Sequence, residues 1–303
     1  MKTTQKAYLA LSVVCVIWGT TYLGMRIGVQ TFPPLLFSGI RQTIAGIVIV
    51  LFLVLSGNYT KISRSDFRRQ AIQGVLMITL GNGLVGWSER YIPSGLAALI
   101  VSVMPVYVVA INYFSGLDSK PLNSNILRGL LLGCTGIGLI FRDTIQDLGN
   151  PDYFKGILVA FAACLSWASG SVYAKYKPTS TTPLVNSAIQ LSSGGFMLLL
   201  GGLLFDDISE IKTVSAESLA ALVYLIVFGS LLAYICFLYA LENLPVGLAS
   251  IYAYINPLIA LLLGALVLHE TITWITGLAL TTTLAGVWYL KKGYTVPAKA
   301  LSK

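Results

Sequence analysis

Ile92–Pro105 reads IPSGLAALIVSVMP, and Leu244–Pro257 reads LPVGLASIYAYINP. Laid over each other without a gap at a spacing of 152, the two share the Pro, Gly, Leu and Ala that open the segment and the Pro inside the apolar run. The opening Pro and Gly break whatever precedes them, and a mostly apolar run long enough to cross a bilayer follows. The second proline, Pro105 or Pro257, falls about halfway along that run. A proline in a helix removes a backbone donor and crowds the carbonyl four residues back, so Val101 and Ala253 are expected to carry under-bonded carbonyls and both helices to bend. In lipid such a break is tolerated where protein or water can satisfy the freed groups. Two matched breaks near mid-membrane therefore predict a cavity between two halves, the alternative being a kink without ligand contact.

The composition agrees with a membrane setting. Of 303 residues, 56% are hydrophobic and only 11% charged, against about a quarter charged in soluble domains. The mean hydropathy is +0.79. The net charge of +8 would suggest nucleic acid in a soluble protein, but here the basic residues gather in loops and tails and report orientation instead. Cys15, Cys134, Cys164 and Cys236 lie in apolar runs without ligand spacing and read as small hydrophobes. The first apolar run follows Lys2 and Lys6 and continues to about Ile27 without a small-x-small cleavage site, so it reads as a retained first helix.

Apolar runs of spanning length fall at about residues 7–27, 35–55, 70–88, 95–114, 126–141, 156–174, 184–205, 218–240, 247–268 and 274–290. Trp18 and Trp167, Arg26 and Lys175, Pro34 and Pro183, and Arg41 and Gln190 match at a spacing of 149, and Gly129 and Gly277 at 148. The expectation is an all-α membrane protein whose ten transmembrane helices form two five-helix repeats, residues 1–143 and 156–292, joined by the polar linker Asp143–Lys155. Because five is odd, the second repeat enters the membrane from the other side, which makes the repeats inverted. Lys2, Lys6, Lys61, Arg64, Arg68, Arg69, Lys175, Lys177, Lys291 and Lys292 are among the basic residues that collect on one side, while the other keeps only Arg26, Arg90, Arg142, Lys155 and Lys212. That bias puts both termini in the cytoplasm of a multi-pass protein.

Several segments together resemble a known family. They are Trp18-Gly19-Thr20-Thr21-Tyr22, the stretch FSGIRQTIAG around Arg41, Leu244-Pro245-Val246-Gly247-Leu248-Ala249-Ser250, Asn256-Pro257, and His269-Glu270. In this order, with the duplication, the chain is similar to the EamA family of the drug/metabolite transporter superfamily. The resemblance implies a bacterial inner (plasma) membrane transporter, often an exporter of amino acids or other small metabolites. It further implies a central cavity walled by helices one, three, four, six, eight and nine, with five and ten to one side, and alternating access by rocking of the halves. Two positions depart from the symmetric pattern: Asp118 stands where the second half has Glu270, and Gln190 where the first has Arg41.

Polar groups inside the spans are few. An unpaired charge at mid-bilayer costs roughly 2.5–3.5 kcal/mol on insertion scales, so Arg41 must snorkel, pair or face water. It reads either as an outer-end arginine holding carbonyls or as a group that attracts or gates substrate. Trp18 and Tyr22 share a helix face, as do Trp167 and Ser171 in the matching helix. Each pair could wall a cavity or pack against protein and lipid. Asn82, Ser102, Tyr252 and Asn256, beside Pro105 and Pro257, are the uncharged groups assigned to the same cavity, the alternative being interhelical hydrogen bonds. No Asp or Glu sits at the centre of a span; Glu89 and Glu242 at helix ends read as solvated caps, or as the candidates if protons are coupled. Proton coupling and exchange both remain compatible with the sequence, as do a monomer and a homodimer. Gly129 with Gly133 and Gly24 with Gly28 read as close-packing positions. His269 reads as a helix-end residue, and neither metal nor cofactor is expected. A rival within the superfamily is a nucleotide-sugar or sugar-phosphate antiporter, which calls for several basic residues in the cavity. An intramembrane enzyme would need a paired base and nucleophile, which the spans lack.

Overall fold

The computed structural model describes residues 3–58, 61–116, 123–143, 149–269 and 271–295. Asp118 and Glu270, whose mismatch broke the symmetry above, lie outside the described residues, as do Lys2, Lys120, Lys299 and Lys303. All described secondary structure is helical. Helix α1 (Thr3–Gly28) is followed by α2 (Pro34–Leu55), where Pro34 occupies the first turn, the place in a helix where a missing N–H costs nothing. Next comes a rod built of α3 (Arg64–Gln73), a π-helical segment (Gly74–Gly83) and α4 (Leu84–Ser88). Ser63 caps α3 by accepting from the Asp66 N–H at 3.0 Å. A second rod joins α5 (Ser94–Val101) to α6 (Met104–Phe114), and α7 (Ser124–Asp143) ends this part.

The chain then repeats this sequence of elements. Helix α8 (Pro151–Tyr176) begins earlier than the polar linker suggested, because Asn150 caps the Asp152 N–H and Pro151 fits the first turn. Helix α9 (Pro183–Phe205) again opens on a proline. After a 3₁₀ turn (Ile208–Thr213) come α10 (Ala216–Tyr224), a second π-helical segment (Leu225–Leu232) and α11 (Ala233–Asn243). Helices α12 (Val246–Ala249), α13 (Tyr252–Leu268) and α14 (Trp274–Thr295) complete it. The two π-helical segments occupy matching places in their rods.

Among the described residues, seven rods are long and apolar enough to cross a bilayer: α1, α2, α5–α6, α8, α9, α10–α11 and α12–α13. The other three expected spans are helical but fall short of that length and hydropathy. The stretch 64–88 opens on Arg64, Asp66, Arg68 and Arg69, α7 carries charged residues at both ends, and the apolar part of α14 is short. Leu55, Phe114, Leu204, Phe205 and Trp274 are strongly exposed, which suits a surface bathed in lipid and would be a liability in water. Between apolar rods in lipid there is no hydrophobic drive to associate, so close contact at small residues carries the packing. Helix α7 lies along α14, and α2 along α9. At Gly129 a side chain would come within 2.7 Å of the Gly286 carbonyl, and at Gly28 within 2.2 Å of Phe37.

The proline breaks differ from the expectation. The α5–α6 rod is interrupted at Ser102–Val103, just ahead of Pro105, which enters the first turn of α6. The freed Val101 carbonyl accepts from the Cys164 thiol at 3.5 Å. In the matching rod the interruption comes earlier, at Ser250–Ile251, and Pro257 lies within the continuous helix α13. Asn256, with its amide turned to donate, reaches the carbonyls of Tyr252 at 2.9 Å and Cys15 at 3.1 Å. That donor ties α13 to α1 beside the proline, at the carbonyl preceding the one of Ala253 that Pro257 frees. His269 ends α13 in the left-handed region, with φ of 55°.

Candidate functional site

A narrow cavity of about 60 Å³ opens between α1, α2, the α3–α4 rod, α5–α6, α8 and α13. Its aromatic floor is built on Trp18, whose ring meets Trp167 at 5.4 Å, Tyr252 at 4.8 Å and Phe237 at 5.0 Å between centroids. The edge-to-face geometries of the first two contacts match the preferred arrangement of ring quadrupoles. Tyr22 and Met25 follow Trp18 along one face of α1, while Ala163 and Cys164 precede Trp167 on the corresponding face of α8.

Of the residues assigned from sequence, Trp18, Tyr22, Arg41, Asn82, Trp167, Tyr252 and Asn256 line this space. Ser102, Ser171, Pro105 and Pro257 do not: they are buried behind the wall. The Ser102 hydroxyl turns back onto the Leu99 carbonyl at 2.6 Å, and that of Ser171 onto the Trp167 carbonyl at 2.9 Å. Both hydroxyls are consumed within their own helices, as short hydroxyl side chains in apolar helices commonly are. Thr21, Met25, Gly81, Val85, Glu89, Val101, Met104, Ala163 and Cys164 complete the wall and were missed, although Met25 shares the helical face of Trp18 and Tyr22 and was findable by spacing.

Glu89 corrects the sequence reading most. A residue at a helix end reads as solvated, yet Glu89 is 0% exposed and lines the cavity with Arg41. The Arg26 guanidinium binds its carbonyl and reaches the Ile92 carbonyl at 3.4 Å, holding the 89–92 turn against α1. At the matching turn, Lys175 donates to the carbonyls of Leu241, Glu242 and Leu244 at 3.2, 3.2 and 2.9 Å. At the spacing of 152 the place of Glu89 is taken by Leu241, and the neighbouring Glu242 lies exposed.

Arg41 is 2% exposed, and its surroundings compensate the burial of charge. Its Nε donates to the Ser230 hydroxyl at 2.9 Å, and Nη1 approaches the Met25 sulfur at 3.2 Å. Ser230 donates to Gln42 Oε1 at 2.7 Å, and Gln42 Nε2 donates to Asn82 Oδ1 at 2.9 Å. The chain of bonds thus runs from the guanidinium to Asn82 and ties α2 to both π-helical segments. In these segments the i→i+5 pattern frees carbonyls, and side chains collect them: Trp18 Nε1 donates to Gly229 at 3.1 Å and the Ser166 hydroxyl to Leu76 at 2.8 Å. The opposite charge in the cavity comes from Glu89.

At the position matching Arg41, Gln190 makes a neutral cluster instead. Its Nε2 donates to Gln70 and, at 2.7 Å, to Gln73, while the Tyr234 hydroxyl donates to its Oε1. A second cavity, of about 110 Å³, lies beside these amides and is lined by Gln70, Gln73 and Gln190 together with Lys175 and Glu242.

The EamA-like transporter family model matches this chain twice, at residues 5–142 and 154–291. An uncharacterized inner membrane transporter of Escherichia coli, YedA, is 32% identical over 96% of this chain and 92% of its own length. The uncharacterized transporter YoaV of Bacillus subtilis is 29% identical over 88% of this chain and 90% of its own. Protein PecM of Dickeya dadantii is 31% identical over 84% and 82%. A crystal structure sharing 20% identity superposes with a TM-score of 0.72 over 94% of this chain and 97% of that one, which supports the fold. With its several membrane-spanning helices the protein is a multi-pass inner-membrane transporter, and the chain belongs to the EamA-like transporter family.

Proposed function

We propose that the protein exports small metabolites, such as amino acids or other amphipathic compounds, by alternating access between two inverted five-helix repeats, residues 1–143 and 156–292, with both termini cytoplasmic. The observation that carries this reading is the cavity itself, where an aromatic floor meets one buried cation, Arg41, and one buried carboxylate, Glu89. A solute with an apolar body and opposite charges would satisfy all three. Matched contacts at the two ends support the repeat. Thr31 and Ser218 hydroxyls meet at 2.7 Å, and in the corresponding place Ser180 donates to Asp66 at 2.8 Å. Rocking of the halves would open one such contact at a time.

The test is uptake and counterflow of a panel of radiolabelled amino acids in proteoliposomes. Movement of at least one, weakened about tenfold or more in Arg41→Gln and Asn256→Ala, is the expected result. Wild-type affinity and rate in both variants would remove these residues from the site, and no movement of any panel member would remove the substrate class.

A further inference from the structure

Helices α2, α3 and α9 leave between them a groove of about 500 Å³, within the roughly 300–1,000 Å³ of sites that hold organic ligands. Its wall is apolar: Val50 and Leu53 come from the last turns of α2, Phe67 from α3, and Val185, Ile189 and Phe196 from α9. Ser193 belongs to it as well, but its hydroxyl is spent on the Ile189 carbonyl at 2.7 Å. Val50, Phe67 and Phe196 are exposed, so the groove opens onto the outer surface of the bundle. We propose that this groove binds an anionic phospholipid of the cytoplasmic leaflet, with an acyl chain laid along α9 and the headgroup held by Lys61, Arg64 and Arg68.

Length and charge select this occupant. From Val185 to Phe196 the groove follows α9 for about 16 Å, close to half of the roughly 30 Å hydrocarbon core and hence to the depth of one leaflet. The end of the groove at Val185 is the end where the basic residues gather, which is the cytoplasmic one. There Ile62 and Phe67 line the groove, while their neighbours Lys61, Arg64 and Arg68 are exposed. Arg64 and Phe67 are three residues apart and share a face of α3. The other two charges on α3 are engaged: Asp66 accepts from the Ser180 hydroxyl at 2.8 Å, and Arg69 donates to the Pro178 carbonyl at 3.0 Å. Basic residues just outside a span favour an anionic headgroup by about fivefold each, a gain that a neutral phospholipid with the same chains forgoes. A second copy of the chain docked by two-fold symmetry would instead bring a second set of these three cations towards the first. The inference is independent of the solute carried.

Native mass spectrometry of the full-length protein in detergent, titrated with phosphatidylglycerol or with phosphatidylcholine of the same acyl chains, tests this. The wild type should bind phosphatidylglycerol at least about fivefold more tightly. Lys61→Gln, Arg64→Gln and Arg68→Gln combined should lose that preference, whereas Lys155→Gln should keep it. Val50→Trp, which fills the groove from its exposed rim, should weaken binding of both lipids. Equal affinity of the wild type for the two lipids overturns the proposal, and so does an undiminished preference in the combined variant or undiminished lipid binding by Val50→Trp. A wild-type dimer that Val50→Trp converts to monomer, with lipid binding unchanged, gives the groove to a second copy and overturns it as well. Should a variant not fold, hydrogen exchange of the wild type decides. Added phosphatidylglycerol should protect residues 61–68 more than phosphatidylcholine does, and equal protection by the two lipids, or none at this segment, overturns the proposal.

Discussion

Trp18 and Trp167, matching residues of the two halves, meet edge to face with ring centroids 5.4 Å apart and planes at 85°. Their hydrogen bonding is unequal. Trp18 Nε1 donates to the Gly229 carbonyl in a π-helical segment, whereas the buried Trp167 Nε1 has no acceptor among the described residues. Trp18→Phe should therefore strand a buried carbonyl and cost about 1–3 kcal/mol. Trp167→Phe loses no bond and should cost less, while weakening substrate binding if the indole N–H serves a ligand. Thermal unfolding in detergent compares the two variants.

The Arg41 guanidinium is held by a directional bond from Nε to Ser230. Lysine keeps the charge but has no Nε–H in that position and cannot reproduce the fork. Arg41→Lys is accordingly expected to lose at least tenfold in transport rate, close to the loss in Arg41→Gln. Ser230→Ala breaks the same chain one step along, removing the acceptor of Arg41 and the donor to Gln42, and should lower the rate about tenfold, because a hydrogen bond to a charged group contributes about 1.5–3 kcal/mol. Initial rates in proteoliposomes check both.

Gly129 and Gly277 match in sequence but not in surroundings. A side chain at Gly129 would press on the Gly286 carbonyl at 2.7 Å, whereas nothing lies within 4 Å of one at Gly277. Gly129→Ala should destabilise by about 1–3 kcal/mol through overpacking. Gly277→Ala should be neutral or stabilise by up to about 1 kcal/mol, since alanine restricts the unfolded chain. Unfolding midpoints of the two variants should move apart.

Asp66 sits in the first turn of α3, ahead of the apolar stretch. The Ser180 hydroxyl is the main cause that holds its carboxyl below the ordinary value; burial acts against this, and Ser63 and Arg69 add to the lowering. A depressed folded value means the contribution is complete above the unfolded carboxylate value of about 3.9 and is lost as pH falls through the lower folded one. The melting temperature of Ser180→Ala should lie below that of the wild type at pH 7, and the gap should close on acidification below about pH 4.

Arg26 and Lys175 explain why so much of the fold was legible. They match in sequence, and each donates to the carbonyls of the turn that ends its own half's third rod. Prolines at 34 and 183 likewise mark true helix starts. The π-helical segments were not legible, because i→i+5 bonding leaves no periodic trace beyond scattered glycines such as Gly74, Gly81 and Gly83. They also change which residues face inward below them, and this is where Glu89 was misread. Half of the cavity wall followed from residue type and helical spacing. Ser102 and Ser171 did not belong to it, since a hydroxyl can satisfy itself on its own helix and sequence does not reveal which way it turns.

The same two basic residues bear on how the protein is made. Each clamps a hairpin using only groups from its own portion of the chain, so each hairpin can close by itself, while the broad contacts of α2 on α9 and α1 on α13 form only when both portions are present. A gene split between the codons for Asp143 and Asn150 should then yield two polypeptides that find each other in the membrane, with the glycine-lined contact of α7 on α14 as one of their mating faces.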